Sequence, residues 1–578
     1  MPANASIPAF DPLNIPIAGT NLIEASAGTG KTYGIAALFT RLVVLEQMPV
    51  ESILTVTFTK AATAELKTRL RARLDEVLQA LESVEDTDNL SDDLAAYCRD
   101  NHPGDVFLTG LLKQALAQES RARLIVRLKA AIGQFDNAAI YTIHGFCQRI
   151  LRDYAFLCRA PMDVELTEDN RDRLLIPAQD FWRDRIVNHP ILAKLVFQRR
   201  QTPQTMLAAI QKFVSRPYLV FRRPEADLVA AQEKFRKTWE KVRPKLDALE
   251  ETFWRIRPIL NGNSYQEKTF KTVFLELQSA SQSDALPSFS KTTAEKLPMF
   301  AVEALASKVK KGNTPDAAAF ADLQILANLG ADSAAIAQAE EETLTLLHLD
   351  LLDHLNASLS EQKKSKRERG FDDLLLDVYD ALTDNPQADS LAQAVAQNWR
   401  IALIDEFQDT DPLQYEIFRK IFISQNKPLF LVGDPKQAIY SFRGADIYAY
   451  LQAAADAQHS YTLATNYRSH AKLINGIGAL FRCKNRPFVL DGIDYTEVGA
   501  ARSESRLSPP QTAIQIRWLN GKDDEVLNKD ILRRRASEYC ADEIAHTLNE
   551  AAEGRLKFKD RPVVSGDIAV LVRTFNEG

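Results

Sequence analysis

Residues 21–32 read NLIEASAGTGKT, an apolar run that leads directly into a glycine-containing loop. The pattern Gly, four residues, Gly-Lys-Ser/Thr is typical of a loop that binds nucleotide phosphates, and here Ala25 replaces the first glycine. Residues 21–25 predict a strand, and residues 33–46, with Ile, Leu and Leu on one face, predict a helix. Because the loop joins a strand to a helix, it predicts a nucleoside triphosphatase lobe; a Gly-rich turn before a helix is the alternative.

Each part of this loop has an expected task in binding ATP. Gly28 and Gly30 let the backbone curve, so that its N–H groups converge on phosphate oxygens. Lys31 is expected to reach the β- and γ-phosphates, and the Thr32 hydroxyl is expected to bind Mg²⁺. The predicted nucleotide-binding residues are Ala25, Ser26, Ala27, Gly28, Thr29, Gly30, Lys31 and Thr32.

A second apolar run, in residues 401–410 (IALIDEFQDT), ends in two carboxylates. A parallel strand here places Asp405 at the carboxyl edge of the sheet, where open α/β folds bind ligands. Asp405 can hold Mg²⁺, and Glu406 can orient and deprotonate an attacking water. An acidic pair after a strand is also a common helix N-cap, which is the alternative. Together with the phosphate loop, the pair indicates a nucleoside triphosphatase.

Strand and helix patterns alternate at both ends of the chain and indicate a parallel, doubly wound sheet. Strands are predicted at residues 21–25, 52–59, 138–143, 401–404, 429–432 and 461–464, with helices at 33–46, 61–80 and 145–154. Residues 155–370 are rich in helix-forming residues and predict a mainly helical insertion. Further strands at 513–519 and 567–572, around a helix at 532–548, are predicted to belong to another lobe.

Composition excludes several classes of protein. The 578 residues are 46% hydrophobic and 26% charged, which is ordinary for a globular protein and excludes a collagen-like or wholly disordered chain. The five cysteines lack zinc-site spacing and fit a reducing compartment; with no signal-peptide pattern, we expect a cytoplasmic protein without a membrane partner. The net charge of −6 leaves a local DNA-binding groove possible.

Several blocks resemble the motifs of superfamily 1 helicases of the UvrD/Rep type. They are, in chain order, IEASAGTGKT (23–32), VTFTKAATAEL (56–66), YTIHGFCQRIL (141–151), FDDLL (371–375), IDEFQDTDPLQYEIF (404–418), LVGDPKQAIYSFRGADI (431–447) and TNYRS (465–469). The blocks TIHGFCQRIL and GDPKQAIYSFRGADI are most similar to the RecB branch of this family.

The resemblance implies an α/β fold made of RecA-like lobes. Residues 1–154 and 371–460 would form the first lobe, with a helical sub-insertion near 75–130. Residues 155–370 would form a mainly helical inserted domain, and residues 461–578 the beginning of a second RecA-like lobe. The family's later helicase motifs and the RecB nuclease domain are expected to lie beyond the blocks found in this chain.

The resemblance also implies an activity: ATP-dependent, 3′→5′ translocation on single-stranded DNA, starting at duplex ends. The implied partners are RecC-like and RecD-like subunits of an exodeoxyribonuclease V complex that acts in double-strand-break repair and recombination. A stand-alone UvrD/Rep-type repair helicase is one alternative. A fragment that binds nucleotide and DNA with little turnover is another.

The resemblance implies roles at the nucleotide for three further residues. Gln437 follows a strand end, and its amide can hydrogen-bond the γ-phosphate. Arg468, in TNYRS, matches the family's arginine finger, which stabilises charge at the γ-phosphate. Tyr467 is implied to stack on adenine. The predicted catalytic set is therefore Lys31, Asp405, Glu406, Gln437 and Arg468.

Aromatic and hydroxyl side chains near strand ends are the predicted DNA contacts. Tyr440 and Phe442 suit stacking on unpaired bases, with core packing as the alternative. Phe58 resembles a second base-contacting aromatic, and its neighbours can contact phosphates. Thr142 and His144 match a further DNA-contact segment of the family, although a lone histidine is often structural. The predicted DNA-binding residues are Thr57, Phe58, Thr59, Thr142, His144, Tyr440 and Phe442.

The chain departs from the family near the nucleotide base. Residues 12–21 (PLNIPIAGTN) contain no glutamine, whereas many relatives have one there that binds adenine. Tyr33 stands where many single-subunit relatives have an arginine that stacks on the base. We therefore expect base discrimination either to be weaker or to depend on backbone groups and Tyr467.

Overall fold

The computed structural model describes residues 7–85, 90–160, 165–166, 174–216, 219–366, 368–439, 446–521, 528–574 and 577. The chain divides into two compact units. The first contains residues 1–163 and 371–578, and the second contains residues 164–370. Among the described residues, no helix combines the length and apolar character that crossing a membrane requires.

A six-stranded, entirely parallel sheet organises the first unit. Its order is β3-β2-β6-β7-β1-β8, so the strand that leads into the phosphate loop lies inside the sheet. Because all six strands run the same way, their carboxyl ends share one edge. The strands of the chain are β1 (Thr20–Glu24), β2 (Ile53–Thr57), β3 (Ile140–Thr142), β4 (Glu165–Leu166), β5 (Glu368–Arg369), β6 (Ile401–Ile404), β7 (Leu429–Gly433), β8 (His459–Thr462), β9 (Thr465–His470), β10 (Gly499–Arg502), β11 (Leu507–Ser508), β12 (Lys557–Phe558) and β13 (Arg561–Pro562).

Helices cover both units. Those of the first unit are α1 (Lys31–Val44), α2 (Lys60–Glu82), α3 (Leu90–Asn101), α4 (Val106–Gln118), α5 (Arg121–Gly133), α6 (Ile143–Asp153), α7 (Ala155–Cys158), α17 (Phe371–Thr383), α18 (Ala388–Asn398), α19 (Pro412–Phe418), α20 (Ile447–Asp456), α21 (Ala471–Arg482) and α22 (Lys529–Ala552). Those of the second unit are α8 (Leu175–Phe181), α9 (Pro190–Gln198), α10 (Pro203–Ile210), α11 (Leu228–Val242), α12 (Leu246–Ile256), α13 (Glu267–Ser281), α14 (Lys291–Lys296), α15 (Val302–Ser307) and α16 (Ala317–Lys366).

Burial on both faces explains why the central strands β6 and β7 are almost continuous apolar runs. Every residue of β2, β6 and β7 is buried, as expected for parallel strands covered by helices on each side. One core joins β1, β2, β6 and β7 to α1, α2, α4 and α5. Each fully buried Leu or Phe in this core contributes roughly 1.5–3 kcal/mol, and the sheet edge is therefore a rigid support for loops.

The second unit is almost entirely helical. Among its described residues, the short parallel pair β4–β5 is the one pair of named strands, and an isolated antiparallel bridge joins Leu260 to Val309. The 50-residue helix α16 packs against α11 and α12. An aromatic cluster around Phe253, with Phe270 stacked at 5.0 Å and Phe300 edge-on at 5.3 Å between ring centroids, fills one of its cores.

The elements predicted for the first sheet are confirmed, with boundaries shifted by a few residues, as is the helix at 532–548. The predicted strands at 513–519 and 567–572 are wrong, because both stretches are irregular apart from a short turn at Ser565–Asp567. A strand needs a neighbour for its hydrogen bonds, and no described segment pairs with either stretch. Tyr461 and Thr462 also belong to β8 of the first sheet, so a second lobe cannot begin at residue 461.

Candidate active site

The loop after β1 has the backbone shape that phosphate binding requires. Gly28 and Gly30 have φ of +81° and +91°, values that suit glycine because it lacks a Cβ. The Thr29 hydroxyl donates to the carbonyl of Ser26 at 2.7 Å and closes the loop on itself. Helix α1 begins at Lys31, with Gly30 as its N-cap residue. The free N–H groups of the first turn therefore open onto the loop.

Lys31 lies at the centre of the predicted catalytic residues. Its Nζ is 2.5 Å from Oε2 of Glu406 and 3.3 Å from Oε1 of Gln437, residues that are hundreds of positions away in the chain. The parallel sheet makes this possible, because β1, β6 and β7 are neighbours and end at the same edge. Lys31 is largely buried, so the ion pair with Glu406 is partly shielded from water.

Asp405 follows β6 and is the most perturbed carboxylate near this loop. Burial and the adjacent charge of Glu406 raise the pKa of Asp405 from 3.8 to about 6. A backbone hydrogen bond from Glu406 and the charge of Lys31 lower the pKa of Asp405, but by less than burial and Glu406 raise it. The site therefore holds a partly buried carboxylate whose negative charge is only partly balanced.

Replacing Asp405 with Asn is expected to stabilise the protein in the absence of nucleotide and divalent cations. A carboxyl whose pKa is higher in the folded state destabilises that state at neutral pH, and the penalty shrinks as pH falls from about 6 toward 4. We expect a gain of about 2 kcal/mol at pH 7.5 and a smaller gain at pH 5. Thermal unfolding in EDTA measures the stability of Asp405→Asn relative to the wild type. The control is Asp542→Asn, at an exposed position on α22.

An unchanged or lowered Tm for Asp405→Asn would contradict this account of the carboxylate. The control should leave Tm unchanged, since Asp542 is exposed.

The acidic pair fits a hydrated divalent cation. Mg²⁺ needs one or two carboxylates and keeps several waters, so it does not require a dense cluster of ligands. Asp405 supplies a partly buried and incompletely balanced charge, and Thr32 lies at the start of α1. Within the described ranges, no group of three or more His, Cys, Asp or Glu residues could form another metal site.

A largely buried charge network lies next to the phosphate loop, and it was not predicted from the sequence. Lys436 forms ion pairs with Glu24, at the end of β1, and with Asp434 at 2.8 Å. Burial alone would lower the pKa of Lys436, but the two carboxylates outweigh burial and the pKa is raised. The network links the end of β1 to the end of β7. Its signal in the sequence is the DPK run before Gln437, for which the motif resemblance alone gave no structural role.

The segment after β8 contacts the phosphate loop directly. The Asn466 side chain donates to the carbonyl of Ala27 at 2.7 Å, and the Tyr467 N–H donates to the carbonyl of Gly28 at 2.8 Å. Arg468 follows in β9, and its side chain is exposed. Strand β9 therefore places both Tyr467 and Arg468 beside the loop, as a shared nucleotide site requires.

Tyr33 is held by a polar cluster that the sequence did not predict. Its hydroxyl donates to Oδ1 of Asp105 at 2.9 Å, and the Arg73 guanidinium lies 5.4 Å from the centre of its ring. Arg73 is itself paired with Asp105 at 2.6 Å. Burial and the charge of Asp105 raise the pKa of Tyr33, and Tyr467 is close enough to add to this effect. The two tyrosines thus lie near each other beside the loop.

The predicted DNA contacts after β2 differ in accessibility. Thr57 is buried, and its hydroxyl is 2.6 Å from that of Thr63. Thr59 caps α2 by accepting a hydrogen bond from the Ala62 N–H at 3.1 Å, but it remains exposed. Phe58 is half-buried. Phe58 and Thr59 are therefore the accessible members of this predicted set, and Thr57 is the buried one.

The segment after β3 presents another pair of candidates at the same edge. Thr142 caps α6 by accepting from the Gly145 N–H at 3.2 Å. His144 is partly exposed, with the ring of Phe371 edge-on at 6.1 Å and Oδ1 of Asp372 at 3.8 Å. The predicted contacts Tyr440 and Phe442 lie outside the described residues.

Comparison with known proteins agrees with this arrangement. The family model of the UvrD/REP helicase N-terminal domain matches residues 11–458 of this chain. The RecBCD enzyme subunit RecB of Escherichia coli (strain K12) is 33% identical over 98% of this chain and 47% of its own length. The RecB subunit of Haemophilus influenzae is 32% identical over 98% of this chain and 48% of its own length, and that of Mycobacterium tuberculosis (strain H37Rv) is 28% identical over 96% and 38%.

The chain spans about half the length of the curated relatives it matches. The family match includes the phosphate loop, the acidic pair and Gln437, and in the structure the side chains of Glu406 and Gln437 both contact Lys31. The chain therefore belongs to the UvrD/REP helicase family.

Proposed function

We propose that this chain is the ATP-driven part of a RecB-like helicase subunit that moves 3′→5′ along single-stranded DNA. The observation that supports it most strongly is the convergence of Lys31, Glu406 and Gln437 beside the loop, with β9 docked on that loop. A nucleoside triphosphate bound at such a site lies between the phosphate loop and β9. Its hydrolysis can therefore change the contact between the loop and this strand.

Each of the side chains at this site has its own role in ATP hydrolysis. Lys31 leaves Glu406 to bind the β- and γ-phosphates, and Glu406 is then free to deprotonate the attacking water. Gln437 donates its amide to the γ-phosphate, and Arg468 approaches the same group from β9. Asp405 and Thr32 would hold Mg²⁺, which would supply positive charge against the phosphates.

The proposed DNA surface follows the same edge of the sheet. Phe58 and Thr59 after β2 and His144 after β3 are at least partly accessible, and the two strands that they follow are neighbours in the sheet. Phe371 packs on His144 and is 44% exposed, so it extends this surface. Aromatic side chains stack on bases without sequence preference, each contributing about 1–3 kcal/mol, which suits a motor that must move along any strand.

We place the chain in a RecBCD-like complex by analogy with its relatives, which are named as RecBCD subunits. RecC-like and RecD-like subunits are the proposed partners, and duplex ends are the proposed entry point. Double-strand-break repair and recombination are the corresponding cellular processes.

Single-stranded DNA is expected to stimulate ATP hydrolysis by the 578-residue chain severalfold, because base contacts and the nucleotide share one sheet edge. Steady-state ATPase assays with and without an unstructured oligonucleotide measure this effect. The affinity for the oligonucleotide should fall steeply with salt, since phosphate contacts release counterions.

Duplex DNA without single-stranded ends is the control and should stimulate less. Tight ATP binding with no DNA-dependent turnover would contradict the motor proposal and would favour a binding fragment.

A further inference from the structure

Gln408, three residues after Asp405, lies in the interior of the site described above. It belongs to the short helical turn Phe407–Asp409 and is 2% exposed. Its Nε2 donates to Oε2 of Glu406 at 2.7 Å, while its Oε1 accepts from the Asp434 N–H at 2.9 Å. An amide is suited to this position, since it offers a donor at one atom and an acceptor at the other.

These contacts complete a closed ring of hydrogen bonds. Lys31 donates to Glu406 at 2.5 Å and to Gln437 at 3.3 Å, and Gln437 donates to Oδ2 of Asp434 at 2.7 Å. Gln408 closes the ring between Asp434 and Glu406. The predicted base and the predicted γ-phosphate sensor are thus connected by two routes, one through Lys31 and one through Gln408.

The surrounding backbone fixes Gln408 in place. A Cβ at Gly433 would lie 2.7 Å from Oε1 of Gln408 and 3.1 Å from its backbone nitrogen, so the close approach of β7 depends on glycine. Glu406 has φ of +48°, an uncommon conformation for a residue with a side chain. Such a conformation persists when its neighbours determine it, and the bond from Gln408 is one of these restraints.

The two oxygens of Glu406 are not equivalent in this arrangement. Both Lys31 and Gln408 bind Oε2, whereas Oε1 accepts no hydrogen bond from the described residues. When phosphates draw Lys31 away, Gln408 still holds Oε2. The carboxylate therefore keeps its orientation at the moment when Oε1 has to receive a proton from water.

We propose that Gln408 is a positioning residue for ATP hydrolysis, which orients the Glu406 carboxylate and ties it to the loop that carries Gln437. The inference rests on the proposed function, in which Glu406 is the general base. Gln408 does not touch the nucleotide in this scheme. Its removal should slow the chemical step and leave ATP binding intact.

Gln408→Met tests the proposal in the full 578-residue chain, because it keeps the length of the side chain and removes both hydrogen bonds. We expect kcat for ATP to fall about tenfold, part of the 10²–10⁴-fold effect of a positioned base. The Kd for ATP, measured by calorimetry, should change less than about twofold, since only transition-state stabilisation is lost. Gln414→Met, at another buried glutamine in the same segment, is the matched control and should keep normal turnover.

A double-mutant cycle separates positioning from general packing. In a Glu406→Gln background, Gln408→Met should cause no further loss of residual turnover, because the group that it orients is already inactive. Equal losses in both backgrounds, or an unchanged kcat in the single variant, would overturn the proposal. Wild-type turnover in Glu406→Gln alone would instead overturn the assignment of Glu406 as the base, and with it this inference.

If Gln408→Met unfolds below the assay temperature, Gln408→Glu carries the same test. This variant keeps the acceptor for the Asp434 N–H, but it replaces the donor to Glu406 by a carboxylate, whose charge repels Oε2 of Glu406 instead of holding it. The same fall in kcat at unchanged ATP affinity supports the proposal, and normal kcat overturns it.

Discussion

Replacing Lys31 with Gln should reduce ATP turnover at least about 100-fold, as expected when a preorganised charge at the reacting phosphate is lost. Lys31 is the only described cation that contacts both Glu406 and Gln437 in this site. Without Lys31, the β- and γ-phosphates lose their charged partner. The carboxylates of Asp405 and Glu406 also lose the positive charge that acts on both of them. DNA-stimulated ATPase activity and nucleotide affinity, measured on the same preparation, test the prediction.

The fold should survive this substitution, since Lys31 is polar, lies at the start of α1 and contributes nothing to the apolar core. Lys129→Gln is a suitable control, because Lys129 lies on α5 with its side chain 59% exposed and forms an ion pair with Glu82. The control should retain full turnover. DNA-stimulated turnover in Lys31→Gln at the level of the control would refute the nucleotide-site assignment.

Much of the site could be predicted from sequence because its parts follow strands. Lys31 follows β1, Asp405 and Glu406 follow β6, and Gln437 follows β7. A parallel sheet brings the carboxyl ends of its strands to one edge, so a correct strand prediction also predicts this proximity. The contacts of Lys31 with Glu406 and Gln437 are the result.

Other features depend on packing that no local pattern encodes. The anchoring of Tyr33 by Asp105 and Arg73 joins three helices, and no spacing in the sequence relates them. The role of Gln408 depends on which way its amide points in a buried turn. The wrong strands at 513–519 and 567–572 show the converse: apolar alternation favours a strand, but the strand forms only when a neighbour pairs with it.

Replacing Gly28 with Ala is expected to disable the site without removing any functional group. The φ of +81° at Gly28 costs an L-residue about 1–2 kcal/mol. The added Cβ would also lie 2.6 Å from Cβ of Arg468 and 3.1 Å from the amide of Asn466. Because Cβ of Arg468 is fixed to the backbone of β9, the strand must move and the Tyr467 N–H to Gly28 hydrogen bond must lengthen.

This displacement should lower kcat/KM for ATP about 100-fold, the loss typical of a misplacement near 1 Å. Gly312→Ala is the matched control, because Gly312 has φ of +90° and no heavy atom within 4 Å of a built Cβ. It isolates the backbone strain, so its Tm should fall while its ATPase activity stays normal. If Gly28→Ala shows only that lowered Tm with normal turnover, the approach of β9 to the loop does not serve catalysis. If turnover is lost at a Tm similar to the control's, the contact between β9 and the phosphate loop is what aligns Arg468 with the nucleotide.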